Sequence, residues 1–403
     1  MSRVIATLFL FVTCAAQAQA QDAVPQFARY MPLYPGMYFN GGYLQDARDG
    51  VFDQQGIKRD SAVPSAGGQT AFPEKTLLGA FSWHFPLFES YGLPFVSSRT
   101  HFARVGFSYT DTRTDGELGR FAADRSDDAS TEADRLENEG SGNGDLTLEF
   151  GSYLVGSPAS QWRERRSAPF AIVATTAGNL PYGAYNRDAP ISAGSNTAWA
   201  QGRIGAHWQP WAGAFVDLGV AWREYFQNYD AAFGRQMPTQ QGDDRFVDLS
   251  LAHRAANGLY LAAFATRREG EPNMYENPRF APNPPAPGAT TSMVPASGNY
   301  FDQGTSLDTV GVSLNWFVTQ RWLAALHFVK PVAGQSGEFD LPYNEHTPAG
   351  CKVGAPNCTT APAGSVHVDG LGPARSYSSG RLLLLVTHNF GLGDTFTCTG
   401  CER

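Results

Sequence analysis

The feature that most constrains the fold is a series of twelve segments in which apolar and polar residues alternate. Alternation with a period of two predicts β-strands, because successive side chains of a strand point to opposite faces. An even number of such strands, with abundant glycine and aromatic residues, is typical of an antiparallel barrel. The predicted strands lie near residues 37–47, 75–85, 101–111, 145–155, 168–178, 197–209, 213–226, 244–255, 258–268, 306–317, 320–331 and 380–390.

The connections between these strands are sorted by length. Those after even-numbered strands are mostly short, as at 209–213, 255–258 and 317–320, and Asn257-Gly258 predicts a type I′ hairpin turn. Short turns at one end and long polar loops at the other predict an all-β outer-membrane barrel with both termini in the periplasm. The long connections, all after odd-numbered strands, are 48–74, 112–144, 179–196, 227–243, 269–305 and 332–379.

The two faces of each predicted strand differ in polarity. In the seventh strand Leu218 and Val220 alternate with Asp217, Gly219 and Arg223. A soluble sandwich would turn the apolar face inward, whereas a membrane barrel turns it toward lipid, and periodicity alone leaves both open. Aromatic residues at the short-turn ends favour an interfacial girdle, although they could also cap a hairpin core. They are Trp208, Trp211, Phe317 and Trp322.

The last predicted strand, "RLLLLVTHNF" (381–390), is the most apolar. One face carries Leu382 and Leu384, and the other, with Leu383, Leu385 and Thr387, is only partly polar. Backbone polar groups in hydrocarbon must all be paired, so this strand is predicted to close the barrel on the first strand, "MYFNGGYLQD".

Four segments are predicted along the chain. Residues 1–20 have the charged, apolar and small-residue regions of a secretory signal peptide. Residues 21–36 are predicted to be an N-terminal periplasmic segment or plug, 37–390 the barrel, and 391–403 a periplasmic tail with a Cys-x-x-Cys motif. The net charge of −8 argues against nucleic acid as a partner.

Four cysteines remain after removal of the signal peptide, in an oxidising compartment. Cys351 and Cys358 fall in the last external loop, whereas Cys398 and Cys401 follow the last strand. Because a hydrocarbon core of about 30 Å would separate the two pairs, disulfides are predicted within each pair and not between them. Haem attachment at the tail would need a histidine where Glu402 stands, so no cofactor is predicted.

The loop 111–145 contains eleven carboxylates and four arginines. Calcium takes six to eight oxygen ligands, but the spacing of a calcium-binding loop is absent here. A solvated external loop without a metal is the favoured interpretation.

Four patches resemble the outer-membrane proteins associated with the meta-pathway of phenol degradation, which are similar to long-chain fatty-acid channels. The resemblance implies passive uptake of hydrophobic or aromatic small molecules. The acidic loop, the Pro-rich loop near 272–287, the cysteine-bearing loop and the tail depart from the family pattern. The patches are "YPGMYFNGGYLQDARDGVFDQQGIKRD" (34–60), "GNGDLTLEFGSYLV" (142–155), "GNLPYGAYNRDAPISAGSNTAWAQGRIGAHWQP" (178–210) and "TVGVSLNWFVTQRWLAALHF" (309–328).

Six charged residues on polar faces are candidates for lining the lumen. They would form a satisfied network, since buried charges are normally paired. Alternatively, Arg203 or Arg223 would orient a phenolate or carboxylate at a constriction. The six are Arg104, Glu149, Arg203, Asp217, Arg223 and Asp248.

Two further function classes remain open. The first is a barrel enzyme, a lipid or peptide hydrolase, for which His207 and His327 on the lumen side are candidates, although neither lies beside a Gly-x-Ser-x-Gly motif. The second is a display or adhesion barrel that uses its long loops. The expected partners are therefore a small-molecule solute and membrane lipid, and the sequence specifies no oligomeric state.

Overall fold

A computed structural model shows a single closed antiparallel β-barrel of twelve strands, which confirms the predicted fold class. Within the described residues no helix is long and apolar enough to cross a membrane. The structure describes residues 29–30, 36–48, 51–52, 54–59, 72–86, 100–113, 139–156, 169–185, 193–229, 238–276, 298–319, 321–343, 364–369 and 380–390.

All twelve predicted strands are present at close to their predicted positions. They are β1 (Gly36–Arg48), β2 (Phe72–Pro86), β3 (Thr100–Arg113), β4 (Leu146–Val155), β5 (Phe170–Leu180), β6 (Trp199–Trp208), β7 (Ala214–Tyr225), β8 (Asp244–Ala256), β9 (Leu259–Gly270), β10 (Thr305–Phe317), β11 (Trp322–Gln335) and β12 (Gly380–Asn389).

The barrel closes where the sequence predicts, between its first and last strands. β1 pairs with β12 from Tyr38 opposite Asn389 to Ala47 opposite Gly380, and it pairs with β2 on its other side. Every other strand pairs with its sequence neighbours, so the sheet has no open edge within the barrel. Closure leaves no row of unpaired backbone groups, as a hydrocarbon environment requires.

The hairpin between β8 and β9 is confirmed, but its predicted turn type is wrong. Gly258 has a left-handed φ of 72°, whereas Asn196 is the only non-glycine residue with positive φ in the described part of the chain. A type I′ turn needs positive φ at both central residues, so Asn257 excludes it. The register instead shifts between Arg254 and Ala256, and this bulge supplies the twist that the turn does not.

The exterior of the barrel is apolar and the interior is largely polar. On β7, Val220 and Trp222 are 49% and 58% exposed, whereas Asp217 and Arg223 are 3% and 1% exposed. The same alternation holds on β10, where Val312 is exposed and Ser313 is buried. A soluble sandwich would bury the apolar face, so this sidedness is the one that lipid favours.

The aromatic residues at the short-turn end divide between the two surfaces. Trp208, Trp211 and Trp322 are exposed on the outside, where an interfacial girdle lies. Phe317 instead packs inside, against the buried cluster of Phe215 and Tyr260. The girdle and the hairpin-capping interpretations therefore each describe part of this set.

Short strands extend the sheet at the long-loop end. Glu139–Asn143 pairs with β3 just before β4 begins. Three small hairpins continue other strands there: Val51–Phe52 with Lys58–Arg59, Met274–Glu276 with Asn299–Phe301, and Glu338–Tyr343 with Gly364–Asp369.

Several predictions fall outside the described residues. They are the signal peptide, most of the acidic loop 111–145, all four mature cysteines and the tail. Of the predicted plug segment 21–36, the structure describes Arg29, Tyr30 and the first residue of β1.

Candidate functional site

An ion pair in the middle of the barrel holds a tyrosine from outside the strands. Arg203 on β6 donates from Nη1 to Asp248 on β8 at 2.6 Å, although β7 lies between the two strands. The Tyr30 hydroxyl donates to the other oxygen of Asp248 at 2.7 Å and accepts from Arg203 at 3.0 Å. All three side chains are nearly inaccessible to solvent. The ion pair is therefore desolvated, and both oxygens of Asp248 accept a hydrogen bond, which offsets part of the cost of burying the two charges.

Two facing glycines make room for Tyr30. Gly205 and Gly219 lie opposite each other on β6 and β7. A Cβ atom at Gly205 would lie 2.2 Å from the Tyr30 ring, and one at Gly219 would lie 1.9 Å from its hydroxyl. Any larger residue would exclude the tyrosine, so we call these two positions the glycine notch.

Tyr30 also packs against the neighbouring strands on the same side of the lumen. Its ring belongs to a buried cluster with Phe102 on β3, Tyr153 on β4 and Val173 on β5. The side chain therefore lies against the inner surface of six consecutive strands, β3 to β8, and occupies part of the lumen beside them. Nothing in the sequence pattern singles out Tyr30, because it lies in no periodic segment.

Arg223 and Asp217, two more of the candidates, are buried in separate clusters. Arg223 lies 4.0 Å from the Trp199 ring centroid and donates to Gln201 at 3.0 and 2.7 Å. Asp217 lies 2.6 Å from His207 Nδ1, directly opposite it on β6. The sequence predicts that Arg203 or Arg223 orients an anionic solute at a constriction. In the structure both arginines already contact protein groups. Their role in solute passage remains a prediction.

A third cluster, not predicted from the sequence, lies near the long-loop end. Arg268 on β9 donates from Nε to Asp244 on β8 at 2.9 Å, and its Nη2 lies 2.8 Å from the second oxygen. The Tyr225 hydroxyl donates to the same carboxylate at 2.6 Å. The alternation does place Arg268 and Asp244 on the inner face, so pairing the strands would have found them.

On the other side of the lumen lies a cavity with one apolar wall. The cavity has a volume of about 60 Å³. The apolar side chains come from β2, β11 and β12, and the polar ones from β1, β3, β10, β11 and β12. The apolar wall is Leu78, Ala80, Leu323, Ala325, Leu383 and Leu385, and the polar lining is Asn40, Arg104, Asn315, His327 and Thr387.

This wall explains why the inner face of β12 is only partly polar. Leu383 is 2% exposed and packs in a buried cluster with Leu44, Leu78 and Val329. Leu385 packs against that cluster and also borders the cavity. Over residues 382–385 the closing strand is therefore apolar on both faces, with Leu382 and Leu384 toward the exterior and Leu383 and Leu385 toward the interior.

The remaining two candidates, Arg104 and Glu149, meet at the edge of this cavity. They lie directly opposite each other on β3 and β4, and Arg104 donates to Glu149 at 2.8 Å. Their side chains keep 23% and 15% exposure, more than the Arg203–Asp248 pair. Among the described residues Glu149 is the only hydrogen-bond partner of Arg104, so the guanidinium keeps donors for another group.

Two of the four patches of the family resemblance, 142–155 and 178–210, meet at the long-loop end around Asp145. The Asp145 carboxylate accepts from the backbone N–H of Gly183 and of Ser195, both at 3.1 Å, and from the Ser195 hydroxyl. Asn179 donates to it at 3.2 Å. Asp145 therefore fixes Gly183 and Ser195, two described residues of the connection between β5 and β6.

We expect Asp145→Ala to cost about 1–3 kcal/mol of stability, because it leaves buried donors without an acceptor. Unfolding in urea measures the loss, and limited proteolysis within 181–197 locates it. Asp308→Ala is the matched control, since Asp308 is 36% exposed and its ion pair with Arg267 is on the surface. An equal loss in both variants would contradict this role of Asp145.

His207 and His327, the candidate histidines of a barrel enzyme, have different surroundings. Asp217 is the only hydrogen-bond partner of His207 in the described ranges, so no hydroxyl or thiol nucleophile is bound to it there. His327 packs against Phe264. Within those ranges no group of three or more His, Cys, Asp or Glu residues could hold a metal ion.

Comparisons with known proteins agree with this architecture. An outer-membrane channel from Pseudomonas putida F1 superposes with a TM-score of 0.56 at 15% identity, covering 91% of this chain and 100% of that one. The toluene transporter TbuX of Ralstonia pickettii gives a TM-score of 0.33 at 10% identity, covering 89% and 90%. None of the curated protein sequences matches this chain.

The first of these likenesses establishes a shared barrel fold. The family described as the MetA-pathway of phenol degradation has a model that matches residues 89–271. That range contains two of the four patches on which the resemblance was predicted, 142–155 and 178–210. Over residues 89–271 the chain therefore matches the family of the meta-pathway of phenol degradation, as its motifs predicted.

Proposed function

We propose that this protein is a channel of the bacterial outer membrane for passive uptake of hydrophobic or aromatic small molecules, with both termini in the periplasm. The observation that carries the proposal is the cavity inside a barrel whose outer surface is apolar. Leucine side chains do not interact favourably with water or ions, so an inner wall of leucines favours a hydrophobic solute. The matched family, whose description names phenol degradation, supports such a solute, and the likeness to the Pseudomonas putida F1 channel supports a channel.

The geometry suits transient binding of an apolar solute. Twelve strands make a lumen wider than that of filled eight-stranded barrels and narrower than that of porins. Each Å² of apolar solute surface buried on the leucine wall contributes about 25 cal/mol. Passage requires binding that is favourable enough to enter and weak enough to leave, and a wall on one side only satisfies both conditions.

The enzyme and display alternatives have less support. An enzyme would need a nucleophile at His207, whose partner is Asp217. A display barrel would use its long loops and would have no need of an internal cavity. Loss of hydrolase activity on His207→Ala, or of adhesion on loop deletion, would favour one of them.

A pair of tryptophan variants on β12 tests the channel proposal. Leu385→Trp fills the cavity from its wall, so we expect accumulation of a labelled aromatic solute by cells with an intact outer membrane to fall several-fold. Leu384→Trp is the matched control, because the neighbouring Leu384 is 47% exposed on the outer face, where tryptophan is tolerated. Whole cells are needed because bare lipid is itself permeable to such solutes.

Swelling of liposomes in sugar solutions, with the purified wild-type protein, measures the open water-filled bore separately. If the protein admits neither sugars to liposomes nor aromatic solutes to cells, the channel proposal fails. Equal uptake by the two tryptophan variants would also contradict the assigned pathway.

A further inference from the structure

We infer that the Arg104–Glu149 pair makes the cavity selective for uncharged amphipathic solutes, those with a small apolar body and one neutral oxygen, over carboxylates of the same size. The inference rests on the proposed function and names the solute class. It assigns the selectivity to two residues that differ from Arg203 and Arg223, the arginines that the sequence favoured.

The apolar body of the solute has one place to lie. The wall formed by Leu78, Leu323, Leu383 and Leu385 borders the cavity on the side of β2, β11 and β12. Because the apolar cluster behind Leu383 is already buried, this wall is fixed in position. An aromatic ring or a short alkyl chain that packs against this wall removes its apolar surface from water and does not displace a polar group.

The oxygen of the solute then faces Arg104. The guanidinium carries five N–H donors, and Glu149 accepts one hydrogen bond from Nη1. The Nε atom of Arg104 is buried without a hydrogen-bond partner in the described structure. A buried donor of this kind normally has an acceptor. If the partly exposed side chain of Arg104 rotates toward the cavity, a solute oxygen or a water molecule can accept the hydrogen bond.

The charge of Glu149 decides which oxygen is accepted. At 2.8 Å its carboxylate already neutralises Arg104, and both groups are partly withdrawn from solvent. A solute carboxylate would be a second negative charge at the same guanidinium and would be repelled by Glu149, whereas a hydroxyl would not. The other polar groups that line the cavity are the neutral amides of Asn40 and Asn315, the hydroxyl of Thr387 and the imidazole of His327.

The experiment compares benzyl alcohol with benzoate, which share a ring and differ in the charge of the oxygen group. Calorimetric titration of the purified full chain in detergent micelles, with empty micelles as the blank, gives both affinities. We expect the wild type to prefer the alcohol. Glu149→Gln leaves the Arg104 charge uncompensated and should move the affinity ratio toward benzoate by about tenfold, equivalent to about 1.4 kcal/mol.

Glu224→Gln is the matched control, because it removes the same charge from an exposed position on the outer face of β7 and should leave the ratio unchanged. If Glu149→Gln does not fold, the double variant Arg104→Gln/Glu149→Gln replaces it. It should bind the alcohol more weakly than the wild type and gain no affinity for benzoate.

An affinity ratio that is the same in the wild type and Glu149→Gln overturns the inference. So does alcohol binding by the double variant that is as tight as in the wild type. In either case the channel proposal stands if the Leu385→Trp and Leu384→Trp variants still differ in uptake. If that difference is also absent, the assigned pathway fails, and the proposed function itself fails if the wild type admits neither sugars nor aromatic solutes.

Discussion

Tyr30→Ala is expected to increase the single-channel conductance of the purified protein several-fold. The side chain occupies the lumen between the Arg203–Asp248 pair and the cluster of Phe102 and Tyr153, so its removal widens the bore there. Recordings in planar bilayers measure the change. Tyr30→Phe is the matched control, because it keeps the ring and loses only the two hydroxyl hydrogen bonds.

A second variant tests the same occlusion without altering Tyr30. Gly219→Val fills the glycine notch, where a Cβ atom would lie 1.9 Å from the Tyr30 hydroxyl. We expect it to displace the tyrosine and to raise the conductance above that of Tyr30→Phe. Wild-type conductance in both Tyr30→Ala and Gly219→Val would show that Tyr30 does not limit passage.

Val220→Arg is expected to destabilise the barrel in lipid by about 2–4 kcal/mol, the cost of an outward-facing cation near the bilayer midplane. Val220 is 49% exposed, in the middle of β7, and its neighbours on the same face are Leu218 and Trp222. Reversible unfolding in urea from phospholipid vesicles gives the free energy of unfolding.

The control for Val220→Arg lies on the same face of the same strand. Glu224→Arg is close to the long-loop end, where an outward-facing arginine costs about 0–1 kcal/mol. Two equal and small losses would show that this face does not contact hydrocarbon. The membrane assignment would then fail, and the proposed uptake with it.

The strands could be predicted from the sequence because lipid outside and water inside impose one rule on every strand. A residue such as Val312 must be apolar and its neighbour Ser313 can be polar, so the period of two persists over the whole of β10. The pairing of β12 with β1 followed from the need to satisfy every backbone group. These are constraints on each strand separately, and a single sequence displays them.

Contacts between strands could not be predicted in the same way. Alternation places Arg203 on the inner face but does not say that it reaches Asp248 across β7, which depends on Gly219 having no side chain. It also gave Arg203 and Arg223 as the residues to hold an anion, whereas the structure shows both in contact with protein groups. The sequence predicts only that the inner face of β12 is partly polar. The alternation of residues does not show whether Leu383 and Leu385 pack into an apolar wall or line a water-filled bore.

The covalent tether of Tyr30 sets how it competes with free molecules for the glycine notch. Five residues separate it from the start of β1, a contour of at most about 18 Å. A short linker of this kind gives an effective local concentration on the order of millimolar. A dissolved phenolic compound that binds the notch as tightly as the tyrosine side chain would therefore displace it only at a concentration in that range.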